Sequence, residues 1–210
     1  MTLQQQETRI ELLRHGEPLG GQRYRGQLDD ALSELGWEQM WAAVGERCDW
    51  QQIVTSPLQR CQAFAAALGE RHRLPVREDA RFAEVGFGDW EGKTRAELEQ
   101  LVPGQVGRFL ADPVRCRPPG AEPLAEFIAR VQAGFDALLE SCAGQSVLVV
   151  AHAGVIRAVM ARVLQIPPAA MYRIYVGNAG ITEIRTSRER GLSLVAHGPA
   201  YGDVTRKGKK

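Results

Sequence analysis

Two short apolar runs constrain this chain more than any other feature. Ile10-Glu11-Leu12-Leu13 stops at Arg14-His15-Gly16, and Val147-Leu148-Val149-Val150-Ala151 stops at His152-Ala153-Gly154. Runs of this length, rich in strand formers, read as buried parallel strands, and parallel strands occur in sheets whose two faces are covered by helices. Ligands of such sheets bind beyond the carboxyl ends of the strands. Each run delivers a histidine to that rim. The expected fold class is α/β, a three-layer α/β/α sandwich with a mostly parallel central sheet.

A chain of 210 residues suits a single domain over 1–210 with one larger insertion. The formal charge of +1, with both signs interspersed, excludes a broad nucleic-acid or anionic-membrane surface. The basic end, Arg206 to Lys210, reads as a solvated terminus. Met1 to Glu7 has neither the basic region nor the apolar core of a secretory signal, and no stretch approaches the ~18 apolar residues of a membrane span. Cys48, Cys61, Cys116 and Cys142 form no C-x-x-C pair, which fits a reducing compartment rather than a zinc site or a disulfide framework. The expectation is a cytoplasmic protein with no metal and no cofactor. No nucleic-acid or membrane partner is expected, and oligomeric state is open, a homodimer included.

Along the chain, Pro18 to Asp30 reads as a loop beside His15. Ser33 is placed to cap a helix over about 33–46. A short strand at 51–55 runs into Ser56-Pro57, which reads as a cap followed by proline at the first helical position, and puts Arg60 in the first helical turn. Pro75 to Glu78 is a further short strand. From Phe82 to Gly92 aromatics, glycines and acids alternate without period, as in a loop that turns sharply while aiming the carboxylate of Glu84. Thr94-Arg95-Ala96-Glu97 is a capping box. Residues of about 89–123 are too long for an ordinary connection and read as a cap-like insertion over the sheet rim. Leu124 to Leu139 has the period of a long amphipathic helix, and another helix follows Gly154. Tyr172 to Val176, Ile181 to Thr186 and Leu192 to Ala196 read as closing strands.

Absences narrow the chemistry. G-x-x-x-x-G-K-[ST], G-x-S-x-G, H-E-x-x-H and the cysteine-arginine spacing of thiolate phosphatases are all missing. An arginine beside His15 would repel a metal ion. There remains a positive pocket with imidazoles, Arg14, Arg60 and Glu84, to which helix N-termini would add backbone donors. That is a phosphate cradle. An imidazole held in it can take a phosphoryl group and pass it to water, with a carboxyl group moving the proton in each step.

Leu13-Arg14-His15-Gly16-Glu17 resembles the signature of the histidine phosphatase, or phosphoglycerate-mutase-like, superfamily. Arg25-Gly26-x-x-Asp29, Ser56-Pro57-Leu58-x-Arg60, Phe87-Gly88-x-Trp90-Glu91-Gly92 and Val149 to Arg157 resemble its later motifs in the same order. The resemblance implies His15 as the phosphorylated nucleophile, Glu84 as proton donor, and Arg14, Arg60 and His152 as the rest of the phosphate pocket. Glu78, Asp79, Asp89 and Glu91 compete with Glu84 for its role. Arg25 stands where the family often has glutamine, and either adds a phosphate contact or faces solvent. Ala153 replaces a usual glycine and still offers a backbone N–H to phosphate. Pro18 and the 119–123 stretch also depart from the pattern, which leaves substrate open. The implied partner is a small phosphorylated metabolite, with α-ribazole 5′-phosphate of cobalamin synthesis as one candidate. A broad sugar phosphatase and a cofactor-dependent phosphoglycerate mutase are the alternatives, and a non-catalytic phospho-ligand scaffold is the alternative of another class.

Overall fold

The structure, a computed structural model, describes residues 7–198; the expectations for the Met1–Gln6 start and the basic Arg206–Lys210 end lie outside the described residues. Its elements in chain order are β1 (Thr8–Arg14), α1 (Glu34–Val44), β2 (Gln52–Thr55), α2 (Gln59–His72), β3 (Val76–Glu78), α3 (Arg95–Leu101), α4 (Gln105–Ala111), α5 (Leu124–Ser141), β4 (Ser146–Ala151), α6 (Ala153–Val163), β5 (Ile181–Ser187) and β6 (Gly191–Gly198). The six strands form one sheet in the order β3-β2-β4-β1-β5-β6. β3, β2, β4 and β1 are mutually parallel, and β5 and β6 continue the sheet antiparallel. The mostly parallel α/β fold expected from the sequence is the one observed.

Period-two alternation along β1 divides the core. Ile10 and Leu12 join Val147 and Val149 under α5 and α6, where Phe127, Val131, Phe135 and Ile156 are buried. Leu13 joins Ile53, Leu148 and Val150 on the opposite face against Met40 and Val44 of α1 and Phe64 and Leu68 of α2. Each such aliphatic or aromatic side chain contributes roughly 1.5 to 3 kcal/mol when fully buried. Glu11 lies between these apolar positions, and its buried carboxylate accepts hydrogen bonds from Arg47 Nη2 at 2.8 Å and Trp50 Nε1 at 2.6 Å.

The local signals hold at two helix starts. Ser33 Oγ accepts the amide of Gly36 at 3.0 Å, and Thr94 and Glu97 close both halves of the capping box. Two expectations are corrected. Ser56-Pro57 does not open α2, which begins at Gln59 with Leu58 at the cap position and no side-chain cap of its own. The amide of Gln59 is taken instead by Asp29 Oδ1 at 2.7 Å, from 30 residues upstream. Tyr172–Val176 is not a strand, because Pro168–Arg173 forms a 3-10 turn and β5 already occupies that edge of β1. The carbonyls of Ile174 and Val176 accept arginine side chains rather than a neighbouring strand.

Residues 89–123 carry α3 and α4, held together by Trp90 Nε1 donating to Gln105 Oε1 at 2.9 Å and by the Trp90 and Phe109 rings, 5.3 Å apart, and joined to the preceding loop by the Phe87 and Phe109 rings, 6.0 Å apart. Among the described residues no helix is long and apolar enough to cross a membrane.

Candidate active site

Register brings the two histidines together. Arg14 lies opposite Ala151 in the β1–β4 ladder, so the next residues of both strands, His15 and His152, leave the sheet side by side. Their ring centroids are 5.2 Å apart, edge to face. β2 ends one strand further along, with Thr55 opposite Val150, so Ser56 emerges beside His152 and its Oγ lies 2.7 Å from His152 Nε2.

His15 is buried, and its Nδ1 lies 2.7 Å from the carbonyl oxygen of Gly16. A carbonyl only accepts, so Nδ1 carries the proton and Nε2 keeps a free lone pair. Burial, then the charges of Arg14 and Arg60, hold this imidazole well below the ordinary histidine range, so it is neutral at physiological pH. His152 is fully buried and held down likewise, by burial first and by Arg60 next. Cys61 packs against it with Sγ 3.6 Å from Nε2, and burial pushes that thiol up, so it stays protonated.

The arginines are held by carbonyls rather than carboxylates. Arg14 Nη1 donates to Val176 O at 2.7 Å; Arg60 donates through Nη1 to Leu28 O at 2.6 Å and through Nη2 to Gly26 O at 2.9 Å. In both, Nε is buried without a partner among the described residues. Burial foremost, and Arg157 after it, bring Arg14 down to about 10, which leaves it cationic at neutral pH. Buried guanidinium groups without counter-ions are costly unless an anion meets them, so the site is matched to an anion before one arrives. Arg25 uses its donors on its own loop, to Asp30 Oδ2 at 2.9 Å and to Leu19 O and Gly21 O, each at 2.6 Å.

Glu84 sits at the positive end of α6. Its Oε2 accepts the amide of Gly154 at 3.2 Å and its Oε1 the amide of Val85 at 3.0 Å. A Cβ on residue 154 would lie 2.2 Å from Oε1, so only glycine admits the carboxylate here. The competing acids have other partners. Asp79 pairs with Arg81, while Glu91 Oε1 accepts the amides of Gln27 and Phe87. Glu122 accepts the amide of Gly86 and pairs with Arg130, whose Nη2 also donates to Glu84 O at 3.0 Å. The loop aiming Glu84 is thus fastened on both sides.

Arg14, His15, Arg25, Arg60 and Glu84 line one cavity of about 250 Å³. Two of the expected residues do not line it: His152 lies behind His15, and Ala153 opens α6. Sequence reasoning gave no role to Arg23, Tyr24, Phe109, Arg157 and Tyr172, which complete the wall. Arg157 stands inside a quoted motif, but an arginine on a helix reads by default as solvated. Among the described residues no cluster of three or more His, Cys, Asp or Glu side chains is arranged to hold a metal ion.

The model for the histidine phosphatase superfamily (branch 1) matches residues 10–197. A bifunctional protein of Mycobacterium tuberculosis (strain ATCC 25618 / H37Rv) is 35% identical over 180 residues, which make up 83% of this chain and 49% of that protein. The chain therefore spans about half the length of that relative. The native structure of a mycobacterial glucosyl-3-phosphoglycerate phosphatase superposes with a TM-score of 0.81 at 32% identity, covering 93% of this chain and 100% of that one. An α-ribazole phosphatase from Shigella flexneri superposes at 0.79 with 26% identity, covering 92% and 98%.

Proposed function

The chain belongs to the histidine phosphatase superfamily, and from that membership we propose that it hydrolyses a phosphomonoester of a small metabolite through a phosphohistidine on His15. The observation that carries this reading is the Nδ1 hydrogen bond of His15 to Gly16 O, which leaves a neutral ring with a free Nε2 between two arginines that lack counter-ions. In the first step Nε2 attacks phosphorus, the bond from phosphorus to the ester oxygen breaks, and Glu84 gives its proton to the departing alkoxide. In the second, Glu84 takes a proton from water as the water oxygen attacks phosphorus; the P–N bond breaks, and inorganic phosphate and neutral His15 are restored. Arg14 and Arg60 neutralise the equatorial oxygens, and at the start of α6 the amide of Ala153 adds a donor, that of Gly154 being held by Glu84. His152, fixed by Ser56, supports the phosphoryl group from behind His15, and Arg25 holds the 19–30 loop against the pocket.

Glucosyl-3-phosphoglycerate and α-ribazole phosphate are the first substrates to try, the former supported by the higher identity of its phosphatase to this chain. The four unpaired cysteines fit work in a reducing cytoplasm. The test is transfer of radiolabelled phosphoryl from a phosphomonoester to the protein. Wild type should acquire an acid-labile, base-stable label that His15→Ala does not; no label in wild type, or equal labelling of both, would overturn the reading.

A further inference from the structure

The loop that carries Glu84 has no backbone ladder of its own. The carbonyls of Arg81, Ala83 and Glu84 accept no backbone amide among the described residues. One side chain meets all three. Arg130 of α5 donates through Nη1 to Arg81 O at 2.9 Å and Ala83 O at 2.8 Å, and through Nη2 to Glu84 O at 3.0 Å. Its remaining donors reach the carboxylate of Glu122, from Nε to Oε1 at 2.7 Å and from Nη2 to Oε2 at 2.9 Å. A guanidinium carries five N–H donors in one fixed plane, and here every one of them is used.

Glu122 closes the far side of the loop. Its Oε2 accepts the amide of Gly86 at 3.1 Å, and its own amide donates to Gly86 O at 3.1 Å. The Arg130 and Glu122 side chains are only 24% and 18% exposed, and a pair so far withdrawn from water returns little net stability, because desolvation offsets the attraction. What the pair does supply is geometry, since it holds residues 81–86 in one conformation against α5. The same helix braces the other end of the carboxylate. The Arg130 guanidinium lies 4.9 Å from the centre of the Phe127 ring, and Phe127 Cζ lies 3.3 Å from where a Cβ on residue 154 would stand, beside the amide that holds Glu84 Oε2. We infer that Arg130, oriented by Glu122, is a positioning residue that fixes the Glu84 carboxyl group for proton transfer at the ester oxygen. Glu122 lies in the 89–123 insertion, so the insertion serves proton transfer as well as walling the pocket. This inference rests on the phosphatase reading, in which Glu84 is the acid.

The test compares kcat/KM, which reports formation of the phosphohistidine, on propyl phosphate and p-nitrophenyl phosphate. Only the first has a leaving group that needs a proton. Arg130→Met should lower the value for propyl phosphate at least about ten-fold and that for p-nitrophenyl phosphate less than about three-fold. Arg130→Lys should fall between Met and wild type with the same selectivity, because an ammonium keeps the charge but cannot span three carbonyls and a carboxylate. Should Arg130→Met not fold, Arg130→Lys and Glu122→Gln carry the same comparison. Added to Glu84→Gln, Arg130→Met should cost less than about two-fold more on propyl phosphate, since a residue that acts through Glu84 has nothing left to position. Equal losses on both esters, as a role in stability alone would give, or a full further ten-fold loss in the Glu84→Gln background, would overturn the inference while leaving the phosphatase reading in place. A wild type that hydrolyses neither ester and takes no label on His15 would remove both together.

Discussion

Residue 154 shows how one hydrogen atom in place of a methyl group sets the placement of the Glu84 carboxylate. Gly154 has no left-handed backbone that would require glycine. Its requirement is space, since Glu84 Oε1 occupies the position a methyl would contact. Gly154→Ala therefore displaces the flexible end of Glu84 and leaves the backbone of α6 in place. Stability should change by less than about 1 kcal/mol. The rate on an alkyl phosphate should fall at least about ten-fold while an aryl phosphate, whose leaving group hardly needs a proton, is much less affected. Steady-state kinetics on the two esters checks this, and equal losses would show that Glu84 is not the acid. His15, Arg14, Arg60 and Glu84 were legible because residue type and motif order pointed at them together. Arg157 was not, because an arginine on a helix reads by default as solvated and only the fold brings it to the cavity wall.

Among the elements, α1 carries a glycine that propensity alone would misjudge. Gly36 is in the first turn of a regular helix, where alanine ordinarily gains roughly 1 kcal/mol. Here a Cβ on Gly36 would lie 2.1 Å from Glu17 O, and a Cβ on Gly16 the same distance from Gly36 O. The backbone leaving His15 is pressed onto the start of α1, so Gly16 serves close approach rather than flexibility. Gly36→Ala should destabilise the protein by about 2 to 3 kcal/mol in urea denaturation instead of stabilising it. Helix starts at Ser33 and Thr94 could be read because their caps are local. The start of α2 could not, because Asp29 reaches it from a distant loop. The segment after Pro168 misled for the same kind of reason: its apolar residues suit a strand, but arginines of β1 and α6 take its carbonyls.

At the scale of the whole molecule, the buried neutral imidazoles make the fold sensitive to acid. Both His15 and His152 titrate well below the ordinary histidine range in the folded protein, while in the unfolded chain they take protons near pH 6.5. Below that pH the unfolded state binds more protons, so stability is lost as pH falls from about 6.5 towards the folded values. Each histidine should remove stability over this range, at a slope of up to about 1.4 kcal/mol per pH unit. Urea denaturation across this range should show it, with His152→Gln losing roughly half of the dependence; an unchanged dependence would show that His152 is not held neutral. The layers and sheet direction were legible from two apolar runs, whereas the strand order was not, since it depends on pairings far apart in the chain. That order also governs how the protein is made. β1 is paired only with β4 and β5, and β4 alone joins it to β2. A growing chain that has left the ribosome as far as α5 has a first strand with no neighbour and half an active site. Long-range pairing of this kind slows folding and exposes an apolar edge meanwhile. The nascent protein must wait for its second histidine before its first has anywhere to be.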